Sequence, residues 1–239
     1  MIDKRCLHSK RLICTDGAAS VASSGPYAIL DRKVYPVKTI VAWLFVFAIL
    51  LVPTADARQT INGCQIKRRA SCPGVDLSGA NLTKSNLAGA DLAGANLSGS
   101  DLSGDRITEA NLMKANLSGA NLSGTDLSET YLNSASLSRA NLTKADLSQS
   151  TLPGADLRKA NLAGANLSMA DLRGADLTDA DAAGAVFAMA SLVDANLTRV
   201  DLTKASLIGA DLRNAILQGT KFCNTLMPDK SVNNSGCPR

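Results

Sequence analysis

Ala115-Asn116-Leu117-Ser118-Gly119-Ala120-Asn121-Leu122-Ser123-Gly124 states one five-residue unit twice. The same unit, Ala-(Asp/Asn)-Leu-x-x, stands on either side of it, as Ala80-Asn81-Leu82-Thr83-Lys84 and Ala175-Asp176-Leu177-Thr178-Asp179. Leucine returns every fifth residue from Leu77 to Leu217, and the run closes on Phe222, which makes thirty units. Within the run only Ile107, Ala182 and Phe187 replace the central leucine. Self-similarity at a fixed period decides the architecture before any residue propensity does.

A period of five suits neither standard element. On an α-helix each step of five turns about 140°, so the leucines would spread around the whole circumference. On a flat strand five is odd, so successive leucines would alternate faces. The Gly, Asn, Asp and Ser between them are poor in helix interiors. One geometry reconciles these facts. Ala and Leu, two apart, share a face of a short extended segment. The two small or polar residues that follow let the chain turn a corner. Each unit is then one side of a coil, with Ala and Leu inside, and stacked coils bury a leucine column while their backbones pair at about 4.8 Å.

These thirty tandem units, spanning residues 75–225, resemble the pentapeptide-repeat family. The resemblance implies an all-β fold, a right-handed quadrilateral β-helix with four units per coil. It implies about seven to eight coils and a rod of roughly 35 Å at the strand-pairing spacing. The Leu would be the central inward residue and the Ala two before it the second. Two departures are local. Asp105 stands where a small inward residue belongs, and a buried carboxylate needs partners; the expectation is a distorted corner that brings it to backbone amides or water. Ala182 and Phe187, one small and one large, are consecutive centres and are expected to compensate in volume within one coil.

Composition marks the ends. Ile40–Val52 is an unbroken apolar run behind Lys38, followed by Pro53-Thr54-Ala55-Asp56-Ala57. It is short for a membrane span and reads as the h-region of a secretory signal, cleaved after Ala57. Met1–Lys38 has no periodicity and is expected to be disordered. Three explanations of this long leader stay open: initiation at Val34, a long n-region, or an uncleaved anchor. The organisation is thus a leader over 1–57, an N-terminal cap over 58–74, the solenoid over 75–225 and a C-terminal cap over 226–239. The protein is expected to be secreted or periplasmic, touching the membrane only through the signal.

Cysteine usage agrees with export. Cys6 and Cys14 lie in the leader, while Cys64, Cys72, Cys223 and Cys237 lie at the two ends of the repeats. Four cysteines allow three pairings. A rod holds its ends farther apart than a disulfide can span, so the expected bridges are Cys64–Cys72 and Cys223–Cys237. The tail from Phe222 to Asp229 is also similar to endings of secreted family members, with Lys230 where the pattern has Gly.

Chemistry is sparse. The one histidine, His8, lies in the leader, so the exported chain has no imidazole base, no Ser-His or Cys-His pair and no His-based metal site. No enzymatic activity, cofactor or metal is expected. With four units per coil, Asp156 stacks with Asp176 and Asp181 with Asp201. Such carboxylates either hold a cation or form a solvated ladder beside cations such as Arg158 and Lys159. Asn-Leu-Ser and Asn-Leu-Thr match glycosylation acceptors only as a by-product of the repeat.

The whole chain carries +4. The leader holds seven basic and four acidic residues, and the repeats twelve and sixteen. Family members that act on DNA gyrase are regarded as acidic, cytoplasmic mimics of duplex DNA. Mixed charge and an export signal argue against that role, which is kept as the alternative. No basic stripe with aromatics marks a nucleic-acid binder. Every fourth unit shares a side. The side centred on Leu87, Ile107, Leu127, Leu147, Leu167, Phe187 and Leu207 begins acidic, with Glu109, Asp126, Glu129 and Asp146. It then turns apolar at Met169, Val186, Met189 and Ile208. Exposed apolar patches often mark partner surfaces, and Met suits adaptable ones; drift in a loosely constrained sequence is the competing explanation. The function expected is a protein-interaction or structural rod with an unknown protein partner or self-association.

Overall fold

The computed structural model describes residues 27–30, 33–36 and 59–238. The chain divides into two units, Met1–Ala57 and Arg58–Arg239, and each is described by itself. In the first, strands β1 (Tyr27–Leu30) and β2 (Lys33–Pro36) pair antiparallel, Ala28 opposite Tyr35 and Ile29 opposite Val34. This corrects the expectation of a leader disordered through Lys38. Aromatic and β-branched residues suit a pleated ladder, and here they outweigh the missing periodicity. The apolar run 40–52, the cleavage site at Ala57, His8, Cys6 and Cys14 lie outside the described residues.

The second unit is a right-handed quadrilateral β-helix. Each residue before a centre forms a parallel bridge with the residue twenty positions later, so four units close one coil. Each of the four sides carries eight stacked rungs. The first side runs from Ser71 to Asp211, the second from Asp76 to Ile216, the third from Asn81 to Lys221 and the fourth from Asn86 to Leu226. Coil geometry begins with Ala70-Ser71-Cys72-Pro73-Gly74, one unit before Val75.

Local bonds explain the consensus. Where Asn or Asp precedes the centre, its side-chain oxygen accepts from the amide two residues on, as when Ser118 N–H donates to Asn116 Oδ1 at 3.1 Å. Asn and Asp are the residues able to hold that short turn. A second bond closes the corner: Ala120 N–H donates to Leu117 O at 3.0 Å. The residue two after the centre has positive φ throughout, 67° at Gly119, 57° at Lys144 and 59° at Met189. Positive φ at that place in a turn favours Gly. A non-glycine residue there costs about 1 kcal/mol, which the ladder between coils overrides.

Packing then follows from the side chains left inside. Leu117, Leu147 and Leu172 are fully buried, as are Ala115, Ala145 and Ala170. Each buried leucine contributes about 2 kcal/mol by area. Ala182 and Phe187 are both fully buried on consecutive sides of one coil, and the coil-to-coil bonds at their amides are intact.

Both ends are finished by hairpins. At the N-terminus β3 (Thr60–Ile61) pairs antiparallel with β4 (Cys64–Gln65). The two residues between them, Asn62 and Gly63, have φ of 49° and 81°, as a type I′ turn requires. At the C-terminus β5 (Thr225–Leu226) pairs with β6 (Val232–Asn233). The sulfurs of Cys64 and Cys72 are 2.08 Å apart, as are those of Cys223 and Cys237. Each bridge ties a hairpin or tail to the adjoining coil.

Candidate functional site

Outward side chains form columns twenty residues apart along the rod body. The column before the centres is a hydrogen-bonded ladder. Asn96 donates to Asp76 Oδ1 at 3.0 Å, and Asn116 donates to Asn96 Oδ1 at 3.3 Å. Asn121 reaches Asp101 at 3.0 Å, and Asn141 reaches Asn121 at 3.1 Å. In each case the amide lies one coil nearer the C-terminus than its acceptor. An aspartate below an asparagine thus receives a proton donor without a second charge.

Where aspartates stack, the chain supplies cations. Asp156 and Asp176 are adjacent rungs, as are Asp181 and Asp201. Arg158 Nη2 lies 2.7 Å from Asp156 Oδ2, and its Nε lies 3.9 Å from Asp176 Oδ2. The bond from Arg158 holds the Asp156 carboxyl below its ordinary range. Lys221 Nζ lies 2.8 Å from Asp201 Oδ2. Burial would raise the Asp201 carboxyl, but Lys221 and Thr203 outweigh it and the net shift is downward. Among the described residues no group of three or more His, Cys, Asp or Glu side chains is placed to hold a metal. Asp156 and Asp201 are thus rungs with built-in counter-charges.

The second side holds a shallow groove of about 680 Å³ lined by Ser118, Ser138, Arg139, Arg158, Lys159 and Asp179. Arg199 pairs with Asp179 at 2.6 Å, and Arg158 with Asp156. Two of the groove's four charged side chains, Arg158 and Asp179, are thereby paired. Sorting residues two after each centre by side would have placed Arg139 and Lys159 together.

The fourth side carries the apolar column. Met169 is 57% exposed and Met189 65%, with Val186 and Ile208 half-buried beside them. Backbone bonds put these residues in register. Met169 N–H donates to Ala188 O at 2.8 Å, and Met189 N–H to Ile208 O at 2.9 Å. The Met189 side chain lies over Gly209, where an added Cβ would meet its Cγ at 3.5 Å. The column continues into the C-terminal cap, because Gly209 N–H donates to Pro228 O at 3.0 Å. Glu109, Asp126, Glu129 and Asp146 lie lower on the same side, with Asp126 facing Arg106 at 3.9 Å.

Asp105 is 3% exposed. The Ser85 hydroxyl donates to its Oδ2 at 2.7 Å, while Oδ1 has no partner among the described residues. Burial pushes the carboxyl up to about 6, against the pull of the Ser85 hydroxyl and the Ser85 and Lys84 amides. The corner is locally distorted. Two bonds regular elsewhere, Lys84 N–H to Ser103 O and Arg106 N–H to Ser85 O, are absent.

The family model described as "Pentapeptide repeats" matches in eight copies over residues 69–104, 110–149, 140–179 and 190–227, more than half of the chain. The chain belongs to the pentapeptide-repeat family, whose members are generally structural or interaction proteins. Among solved structures it is similar to HetL, involved in heterocyst differentiation regulation in the cyanobacterium Nostoc sp.. That identity is 30%, covering 77% of this chain and 98% of HetL, with a TM-score of 0.30. A pentapeptide repeat protein of the Arabidopsis thaliana thylakoid lumen is 35% identical over 38% of this chain and 63% of its own, with a TM-score of 0.38. QnrB1, a plasmid-mediated fluoroquinolone resistance protein, is 21% identical over 63% of this chain and 90% of its own, with a TM-score of 0.30. No curated protein sequence matches the chain.

Proposed function

We propose that this chain is an exported, non-enzymatic rod that works in the secreted or periplasmic space by binding a protein partner along its fourth side. The observation that carries this reading is the apolar column of Met169, Val186, Met189 and Ile208, in which the two most exposed large apolar side chains of the described residues, Met169 and Met189, stand one coil apart. Such a column offers area to bury with little to desolvate, and unbranched Met adapts to a partner's shape. The non-enzymatic reading draws support from sequence, since the only histidine lies in the leader. Export draws support from the apolar run before Ala57 and from cysteines joined at both ends.

Two measurements test it. The exported protein should begin at Arg58 by intact mass, and a retained leader would end the cleaved-signal reading. The double variant Met189→Asp with Ile208→Asp should melt within about 0.5 kcal/mol of the parent, as outward substitutions do. It should lose partner capture from envelope or medium at least about tenfold, as interfaces do when central anchors go. Equal capture by variant and parent would sink the patch. Inhibition of gyrase supercoiling by residues 58–239 would instead favour a DNA mimic.

A further inference from the structure

The fourth side has three outward columns, and all three change character at the same height. Two residues after the centres stand Glu109, Glu129, Gln149, Met169 and Met189. Before the centres, Asp126 and Asp146 give way to Asn166 and Val186. Just after them, Ser128 and Ser148 give way to Ala188 and Ile208. The change from acidic to apolar falls between the coils of Leu147 and Leu167. Backbone bonds keep the lower half in register as they do the upper. Glu109 N–H donates to Ser128 O at 3.1 Å, Glu129 N–H to Ser148 O at 3.0 Å and Gln149 N–H to Ser168 O at 2.9 Å. Glu109 and Glu129 are exposed. The one ion pair of this side among the described residues is Arg106 with Asp126, at 3.9 Å. Tyr131, 51% exposed, follows Glu129 by two residues around the corner.

Spacing decides what can lie along such a side. Each coil rises about 4.8 Å. An α-helix laid along the rod brings a residue to one face every turn, about 5.4 Å. Turns and coils then drift apart by only about 0.6 Å per step, which Met and Glu side chains absorb. An extended strand presents its same-face residues about 6.6 Å apart and falls out of step within two coils. The amides of Met169 and Met189 are also bonded to the coil above, so this side offers a strand no open edge. From Glu109 to Met189 is four steps, about 19 Å, or about thirteen residues of helix.

We propose that the fourth side docks an amphipathic helix of a partner protein, with lysine or arginine on its contact face in one half and large apolar residues in the other. This rests on the apolar column being the partner surface and adds what the partner must bring to it. The apolar half buries against Met169, Met189 and Ile208, as helix anchors do in a receiving surface. The cationic half meets Glu109 and Glu129, and Tyr131 offers an aromatic ring to the same charges. The division of the side fixes the direction of the helix, its apolar half toward the C-terminal cap. Turned end for end, it would set cations on the methionines and leave the glutamates unanswered, and such mismatches are what charge patterns exclude.

The test uses a synthetic helix of about eighteen residues, with one lysine per turn on one face in the first half and one leucine per turn on that face in the second. The control has the same composition, with lysine and leucine alternating along the face. Fluorescence anisotropy measures both against the purified protein. The segregated peptide should bind at least about tenfold more tightly than the control. Glu109→Gln with Glu129→Gln should weaken it about fivefold and flatten its salt dependence. Met189→Asp with Ile208→Asp should weaken it at least about tenfold. Both double variants should melt as the parent does. No binding up to about 1 mM, equal affinity for the two peptides, or indifference to the glutamate changes would overturn the proposal. Binding that responds to Met189 and Ile208 but not to the glutamates would keep the apolar column as a partner surface and remove the half-cationic helix. Partner capture from envelope or medium decides the column separately. The comparison of the two peptides on the parent needs no variant to fold.

Discussion

Replacing Leu147 by Ala will destabilise the solenoid by about 3–4 kcal/mol, while the same change at Leu217 will cost about 1 kcal/mol or less in the monomer. The two leucines occupy the same place in the repeat, so sequence gives no reason for a difference. Leu147 is fully buried between coils, and its removal leaves a void that neighbours held by backbone ladders cannot fill. Leu217 is 37% exposed at the open end, so its truncation removes less contact and solvent fills the space. Coils are stabilised by nearest neighbours, which makes the loss at Leu147 a break in the middle of the stack and the loss at Leu217 a fraying of one end. Urea titration of both variants by circular dichroism measures the contrast. Equal losses would mean that the C-terminal end is covered in solution.

Asp105→Ala will stabilise the protein above pH 7 by about 2 kcal/mol, equivalent to a rise in Tm of about 4–8 °C. The sign follows from the raised carboxyl. Its folded pKa of about 6 lies above the ordinary aspartate value of 3.8, so the folded chain holds a proton that the unfolded chain has released. Stability from this group is greatest below about pH 4, falls as pH rises through the window from 4 to 6, and is flat and lowest above it. Alanine is the residue most units carry at this position, and it removes the buried charge with its unpartnered Oδ1. Several aspartates with lowered carboxyls, including Asp76, Asp101 and Asp171, act in the opposite sense at lower pH. The difference between parent and variant cancels them. Melting curves from pH 4 to 8 should converge at the acid end and separate above pH 6. A constant offset across that range would show that Asp105 does not titrate in the window.

Much of the candidate site could be read before any coordinates. Met169, Val186, Met189 and Ile208 fall on one side as soon as four units make a coil, and their outward direction follows from their places in the unit. The end-local pairing of Cys64 with Cys72 and Cys223 with Cys237 needs only a rod. The Asn62-Gly63 hairpin came from the structure alone, although Asn-Gly is the pair such a turn favours, and it is the device that brings the Asn62 side chain to Asp76 O. The strands at 27–30 and 33–36 were hidden by the absence of a repeat rather than by the absence of β-forming residues.

The identity of the inward residues was legible because every force that sets it is local. The bond from the residue before the centre to the amide two positions on, and the bond closing the corner three positions on, lie within one unit. They repeat wherever the unit repeats. What lay beyond the sequence is built from bonds twenty residues apart. Closure of the square, the matching of Asp76 with Asn96 and Asn116 along one ladder, and the lack of a backbone partner among the described residues for the amides of Leu212 and Leu217 depend on what the coil above contains. Thirty nearly identical units cannot say which of them has nothing above it. The folded tail says so, by covering Phe222 and Leu226 and leaving the two preceding sides bare.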